Sequence, residues 1–302
     1  MFYQAIKALN RDKFLLVLTM PVLIYFVIFH YVPMYGIIIA FKQFRPLDGI
    51  LGSSWAGVQN FQLFFDSIYF WRLLKNTLLI SIYSLFWGFP APIIFALLLN
   101  ELKNRYFKRM VQTISYLPHF ISIVVIAGMI VTFTNPLDGI INLALVKLGF
   151  APIGFLNDPD WFRTIFVSSG IWQTFGWGSI IYLAAIAGIN PQLYEAAEID
   201  GANRWKKVMH ITLPSIIPTI IILLILNVGN LMDVGFEKVL LLYNPATYET
   251  ADVIGTFVYR RGILNSDFSF AAAVNLFNNV INIILLVSVN RISRKVSETS
   301  LW

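Results

Sequence analysis

The chain has 302 residues, of which 58% are hydrophobic and 13% charged, with a net charge of +6 and no cysteine; its mean hydropathy is +0.71. A soluble domain carries about 25% charged residues, and a charge held in hydrocarbon costs several kcal/mol, so this composition points to a membrane protein. Without cysteine, neither a disulfide nor a thiolate metal site can form.

Six stretches contain no Asp, Glu, Lys or Arg: 14–41, 76–100, 110–137, 164–194, 208–232 and 268–290. Each exceeds the roughly 20 apolar residues needed to cross about 30 Å of hydrocarbon, so the direct reading is six spans. Residues 1–13 form a basic lead with Phe2, Ile6 and Leu9 at helical spacing, an amphipathic segment suited to a membrane surface. The first span, 14–39, follows that lead as a signal peptide would. It runs on into Tyr31-Val32-Pro33 without a small-x-small cleavage site, and reads as uncleaved. Residues 41–75 hold a Pro46-Leu47-Asp48-Gly49 turn and then an aromatic stretch from Trp55 to Trp71, expected to lie on the outer membrane face.

Spans 2 (76–99) and 3 (110–133) contain Pro90, Pro92 and Pro118, which neighbouring helices of a membrane bundle can accommodate. The loop 134–163 has turns at Asn135–Gly139 and Asn157–Asp160 around an apolar stretch, 140–150, too short to span. Spans 4 (165–187), 5 (215–232) and 6 (269–289) come next, with a long loop at 233–268. The corresponding segments are a lead (1–13), a first helix with an interfacial segment (14–69), a core (70–290) holding a loop at 190–214, and a tail (291–302).

An even number of spans puts both termini on one side. That side holds most of the 22 Lys and Arg, in short segments around Lys7, Lys103, Arg105, Lys206 and Arg294, and short basic segments face the cytoplasm. The basic residues sit at span ends and form no stripe, so they report topology and not nucleic-acid binding.

The loop at 190–214 is the most informative segment. Asn190 is a good N-cap and Pro191 a favoured first helical residue; Gln192 to Asp200 are mostly helix formers, and Gly201 supplies a left-handed terminus. The expected helix has roughly ten residues and is about 15 Å long. Leu193 and Tyr194 can anchor a partner, Ala196 and Ala197 permit close approach, and Glu195 and Glu198 share one face. Such a helix suits docking in a groove of another protein.

Chemistry of other kinds finds no motif. There is no Gly-x-x-x-x-Gly-Lys-Ser/Thr phosphate loop and no Gly-x-Ser-x-Gly elbow, and His30, His119 and His210 lie in separate segments outside any His-Glu-x-x-His frame. Polar residues inside the spans are the candidates for a solute path: Gln173, Thr174 and Trp177 in span 4, Asn227 and Asn230 in span 5, and Asp233 at its end. Amides, carboxylates and aromatic rings together suit a carbohydrate. Asn and Gln also bond between helices as packing glue, and the residues alone leave both readings open. The asparagines of span 6, Asn275, Asn278, Asn279 and Asn282, fit packing or partner contacts better.

The order Glu195-Ala196-Ala197, then Asp200-Gly201-Ala202, then Ile211-Thr212-Leu213-Pro214 resembles the coupling loop of binding-protein-dependent ABC importer permeases, and more narrowly their carbohydrate-uptake branch in Gram-positive oligosaccharide or polysaccharide-fragment systems. The resemblance extends to span number and topology over residues 70–295. It implies an all-α membrane protein of six transmembrane helices with a cytoplasmic coupling helix, the type I importer permease fold. It implies a bacterial cell membrane and a non-catalytic subunit without a cofactor of its own, since ATP and Mg would be bound by a partner ATPase. The implied partners are a second permease, two copies of that ATPase, an external solute-binding protein and a carbohydrate. By the resemblance, Leu193 to Glu198, Asp200, Gly201 and Ala202 would meet the ATPase, and Gln173, Thr174, Trp177, Asn227 and Asn230 would line the substrate path; Asp233 is a candidate for the same path and equally for an interface anchor. The alternatives are a stand-alone secondary carrier or channel, disfavoured by spans that lack ionisable residues, and a scaffold without transport, which no feature supports.

Overall fold

The computed structural model describes residues 13–297 and 300–301. The expected amphipathic lead at 1–13 therefore lies almost wholly outside the described residues. In chain order the principal helices are α1 (Lys13–Phe26), α2 (Gln59–Phe65), α3 (Phe70–Tyr83), α4 (Pro90–Asn100), α5 (Arg105–Tyr116), α6 (Ile123–Thr134), α7 (Ile140–Lys147), α8 (Pro159–Ala187), α9 (Pro191–Ile199), α10 (Leu213–Gly229), α11 (Phe236–Leu242) and α12 (Phe268–Ser297). The chain divides into two compact units, one of residues up to Ser67 with Val258–Leu276, the other of Ile68–Phe257 with the residues from Phe277 on.

In the first unit α1 continues through a π-helical turn, Val27–Tyr31, and a 3-10 segment, Tyr35–Phe41, so one helical run covers Lys13–Phe41. Its side chains are almost all exposed, as expected of a helix meeting lipid on every face. The turn at Pro46–Gly49 closes a two-residue antiparallel ladder, Lys42–Gln43 against Ser54–Trp55. The Lys42 ammonium, bonded to the carbonyls of Ile50 at 2.6 Å and Ser53 at 3.1 Å, holds the turn shut. Asn60 donates to the carbonyls of Ala40 at 2.8 Å and Lys42 at 3.1 Å, which satisfies backbone groups where the long helix ends. Arg261 lies 3.7 Å above the Phe270 ring and bonds Asp267 at 3.0 Å.

The second unit is built around α8, a 29-residue helix that packs on α3, α4, α5 and α10. Its apolar core joins Ile80, Phe162, Phe166, Val239, Leu242 and Val253; a second cluster joins Ala96, Tyr182, Ile186 and Ile216. At Gly176 the backbone of α5 comes so close that an added Cβ would stand 2.1 Å from the Ser115 carbonyl oxygen. Pro90 is accommodated by a π-helical turn, Ser84–Gly88, immediately before it, because widening the ladder there removes the demand for the proline's missing N–H.

Polar ties hold the loops. Asn142, almost fully buried, donates to the carbonyls of Thr134, Asn135 and Ile153 and accepts from Ile153 N–H at 2.8 Å. Asn76 bonds the carbonyls of Glu249 at 2.9 Å and Asp252 at 3.0 Å and accepts from Arg163 at 3.0 Å. The buried Asp252 carboxylate takes Arg72 at 3.3 Å and Thr256 at 2.8 Å.

Two expectations about spans change. The charge-free run 110–137 is not one straight helix: Arg105–Phe120 and Ile123–Thr134 meet at 99°. Pro118 opens a 3-10 turn, and Ser122, accepting from Val125 N–H, caps a fresh helix. A lack of charge reports depth in the membrane and says nothing about straightness, so the bend was invisible to that count. Within the described residues four helical runs are long and apolar enough to cross a membrane, Lys13–Phe41, Phe70–Asn100, Arg204–Gly229 and Phe268–Lys295, with the bent pair as a fifth. α8 has the length of a span but not the same hydropathy, because Ser168, Ser169, Gln173, Thr174 and Ser179 dilute it. Among the described residues the structure thus gives a mostly helical chain with four or five such runs, not six uniform apolar ones.

Candidate functional site

Two places bring the sequence-selected residues together. The first is α9 and its surroundings. The Asn190 side chain accepts from Gln192 N–H at 3.0 Å, and Pro191 takes the first helical position. At the other end Gly201 has φ +75°, and Ala202 N–H bonds the Ala197 carbonyl at 2.8 Å, the six-to-one closure that ends a helix through a left-handed residue. Asn203 then caps the next turn, accepting from Lys206 N–H at 2.9 Å. The run continues through a π-helical turn, Val208–Thr212, into α10.

Two side-chain bonds fasten α9 to this second helical run. The Tyr194 hydroxyl lies 2.9 Å from the Thr212 hydroxyl, and Lys207 bonds Glu198 at 2.5 Å. That hydrogen bond, reinforced by the charge of Lys207, holds the Glu198 carboxyl below its usual range. Glu195, three residues away, is exposed and makes no ion pair among the described residues. Leu193 is 49% exposed, Ile199 87% and Trp205 70%, so the loop presents apolar side chains that none of the described residues covers, while Val208 turns inward.

The second place is a cavity of about 620 Å³ in the second unit. Gln173, Thr174, Asn227, Asn230 and Asp233 all line it, so helices far apart in sequence bring five of the six expected path residues together. The amide nitrogens are taken by backbone: Gln173 donates to the Ile121 carbonyl at 3.2 Å, Asn227 to Leu223 at 2.8 Å and Asn230 to Leu226 at 3.1 Å. Their carbonyl oxygens remain as acceptors, suited to hydroxyl-rich solutes. Thr174 donates its hydroxyl to the Gly170 carbonyl at 2.9 Å and retains its lone pairs.

Trp177 is the exception and does not line the cavity. It stacks on His119 with centroids 4.6 Å apart and planes at 2°, and meets Phe120 edge-on at 5.3 Å. Its position on α8 turns it toward the elbow between α5 and α6, so it packs the bend. In span 6, Asn282 accepts from Met232 N–H at 2.9 Å and Asn278 donates to the Met232 carbonyl at 3.5 Å. These bonds satisfy backbone just past the end of α10, so these two asparagines take the first of the two roles expected of the span 6 set, packing or partner contact.

The cavity also takes residues that sequence reading passed over: Ser81 and Ser84 from α3 and its π-turn, and Glu237 and Lys238 from α11. Lys238 could have been noticed as a lone cation beside the apolar stretch Val239 to Leu242. Burial pushes its ammonium down to about 8. Among the described residues there is no cluster of three or more His, Cys, Asp or Glu able to hold a metal.

Residues 88–298 match the family model of the binding-protein-dependent transport system inner membrane component. The chain is 44% identical over 295 residues to protein LplB of Bacillus subtilis, covering 98% of this chain and 93% of that one. It is 42% identical over 294 residues to the polygalacturonan/rhamnogalacturonan transport system permease protein YteP of the same organism, with 97% and 92% covered. Among solved structures it is similar, at a TM-score of 0.90 and 46% identity, to a chain of a bacterial ABC transporter involved in the import of the acidic polysaccharide alginate, with 97% and 99% covered. A bacterial alginate ABC transporter in complex with an alginate pentasaccharide-bound periplasmic protein gives 0.90 and 45%, with 98% and 99% covered.

Proposed function

The chain belongs to the family of binding-protein-dependent transport system inner membrane components, and from that premise we propose that it is the permease subunit through which an ATP-driven importer moves an oligosaccharide. The stand-alone carrier is set aside by this membership, because a family of binding-protein-dependent systems acts with partners. The proposed assembly is this chain with a second permease, two copies of a cytoplasmic ATPase and an external binding protein, in a bacterial cell membrane with both termini cytoplasmic. The chain itself holds no cofactor; ATP and Mg belong to the ATPase. Six crossings, counting α8 and the bent pair, remain the proposed topology.

The observation that carries this reading is α9: a doubly capped, exposed helix inside the family-matched region, bonded by Tyr194 to the foot of α10. In the proposed mechanism ATP closes the ATPase dimer, α9 is carried inward, and α10 moves with it because the two are fastened. The cavity at Gln173, Asn227 and Asn230 then changes the side from which it is reached. Leu193, Tyr194, Glu195, Ala196, Ala197, Glu198, Asp200, Gly201 and Ala202 are the proposed ATPase-facing residues, with Glu195 free to meet a basic group.

The test is gentle detergent purification of the tagged chain from its native membrane, with mass spectrometry of the proteins that accompany it. Recovery of an ATPase and a second permease is expected, with the ATPase lost on Glu195→Lys. Recovery of this chain alone, under conditions where other importers stay assembled, would overturn the proposal.

A further inference from the structure

Among the described residues that line the cavity, Lys238 is the one cation. It is only 6% exposed. Its ammonium donates to the Phe166 carbonyl at 2.8 Å and stands 4.6 Å from the Phe166 ring centroid. No carboxylate of the described residues lies within ion-pair distance of it. An ammonium has three donors, and one carbonyl accounts for one of them. A buried charge without a counter-ion is costly, so a residue kept in this state has a use for its free donors. Gly170 leaves them a way out: it lines the same cavity, and even a Cβ there would stand 3.4 Å from Nζ.

We infer that Lys238 reads a carboxylate on the passing solute, so that the oligosaccharide is an acidic one, built from uronate residues. The inference rests on the importer reading above. Elsewhere in its lining the cavity offers acceptors, the oxygens of Gln173, Asn227 and Asn230, which suit the hydroxyls of the same sugar. Asp233 and Glu237 line the cavity too, and with Lys238 they leave the lining with a net negative charge. They limit how tightly an anion is held, as passage requires: a site on a path must bind well enough to be entered and weakly enough to be left. The likeness to a transporter of the acidic polysaccharide alginate is in keeping with this.

The experiment uses the assembled, nucleotide-free transporter in detergent without its binding protein, so that the affinity measured is the cavity's own. Labelled tetramers of galacturonate and of mannuronate, each as free acid and as methyl ester, are bound by equilibrium dialysis. The ester keeps length, linkage and hydroxyls and removes only the charge. The wild-type complex should bind a free acid more tightly than its ester. Lys238→Met should erase that preference, a loss of about ten- to a hundred-fold for one charge-assisted hydrogen bond, and leave ester binding unchanged. Lys238→Arg should keep most of it. Equal binding of acid and ester by the wild type, or a preference that survives in Lys238→Met, would overturn the inference. So would equal loss of acid and ester in Lys238→Met, the mark of a residue that only clips α11 to α8. Any of these leaves the importer reading to stand or fall on co-purification.

Discussion

The hydroxyl of Tyr194 lies 2.9 Å from that of Thr212, joining the middle of a nine-residue exposed helix to the foot of α10. This bond and that of Lys207 with Glu198 cross the turn at Gly201 and fasten the two segments to each other. Tyr194→Phe removes the first without changing shape. A net loss of about 0.5–1.5 kcal/mol is expected, too small to unfold the chain. The ratio of solute moved to ATP hydrolysed should fall while assembly with the ATPase is kept. An unchanged ratio would mean that the Glu198–Lys207 bond and the main chain carry the motion without the Tyr194 hydroxyl.

Gly201 has φ +75° and open space around it, so a substitution there is opposed by backbone strain and by no clash. Gly201→Val should cost about 1–3 kcal/mol and fray the end of α9, whereas Gly201→Asn, which tolerates the left-handed region, should be nearly neutral. Hydrogen exchange at residue 201 and Ala202 would separate the two. Equal protection in both variants would contradict the assignment.

Gly176 presents the opposite case. Its φ is ordinary, but the Ser115 backbone fills the place of a side chain. Gly176→Val should force α5 and α8 apart at a cost of about 1–3 kcal/mol or more. Thermal unfolding of the purified complex should show a clearly lowered midpoint. A midpoint equal to wild type would mean the helices have room that the structure does not show.

Asn227 and Asn230 keep their carbonyl oxygens for the cavity, whereas Trp177 packs on His119. Replacing either asparagine by Ala should weaken solute binding by about two- to ten-fold, the worth of one neutral hydrogen bond, and leave stability nearly unchanged. Trp177→Ala should do the reverse, loosening the elbow at Pro118–Ser122 with little direct effect on affinity. Calorimetric midpoints and binding constants measured on the same samples decide between the two roles.

The pH dependence comes from Lys238, whose ammonium is lowered from 10.5 to about 8 by burial. Among the described residues the other titratable groups lining the cavity are Asp233, Glu237 and Tyr182, none of which supplies a second cation. Binding of a free-acid tetramer should be full below about pH 8 and fall as pH rises through that value; a bound carboxylate moves the fall upward. Lys238→Met should show no such fall. In the empty protein the unfolded chain holds this proton more tightly between about 8 and 10.5, so stability rises with pH through that window. Ester binding should be flat with pH, which checks that the fall belongs to the charge.

Much of the helical organisation was legible in the residues. Asn190-Pro191 and Gly201 bracket α9 because a cap, a first-turn proline and a left-handed terminus are local events, settled within a few residues. Gln173, Asn227 and Asn230, which line the cavity, were also legible, since an amide in an otherwise apolar span stands out wherever the helix later goes. Lys238 was missed because its neighbours in sequence mark it only as a residue between spans. The features that make it notable, the Phe166 carbonyl and the gap at Gly170, come from another helix.

Composition, charge spacing and local capping signals determined that this is a helical membrane protein, where its long apolar stretches lie, and that a capped helix sits between the fourth and fifth of them. These depend on transfer free energies and short-range hydrogen bonding, which the sequence states directly. Only the tertiary structure decided that the stretch at 110–137 turns through 99°, that Trp177 packs and Asn227 faces a cavity, and that a lysine from the loop after α10 lies against α8. Those outcomes depend on which helix faces meet, and that is set by close packing across long sequence separations, where a single glycine such as Gly176 or Gly170 determines how near two backbones or a charge can come.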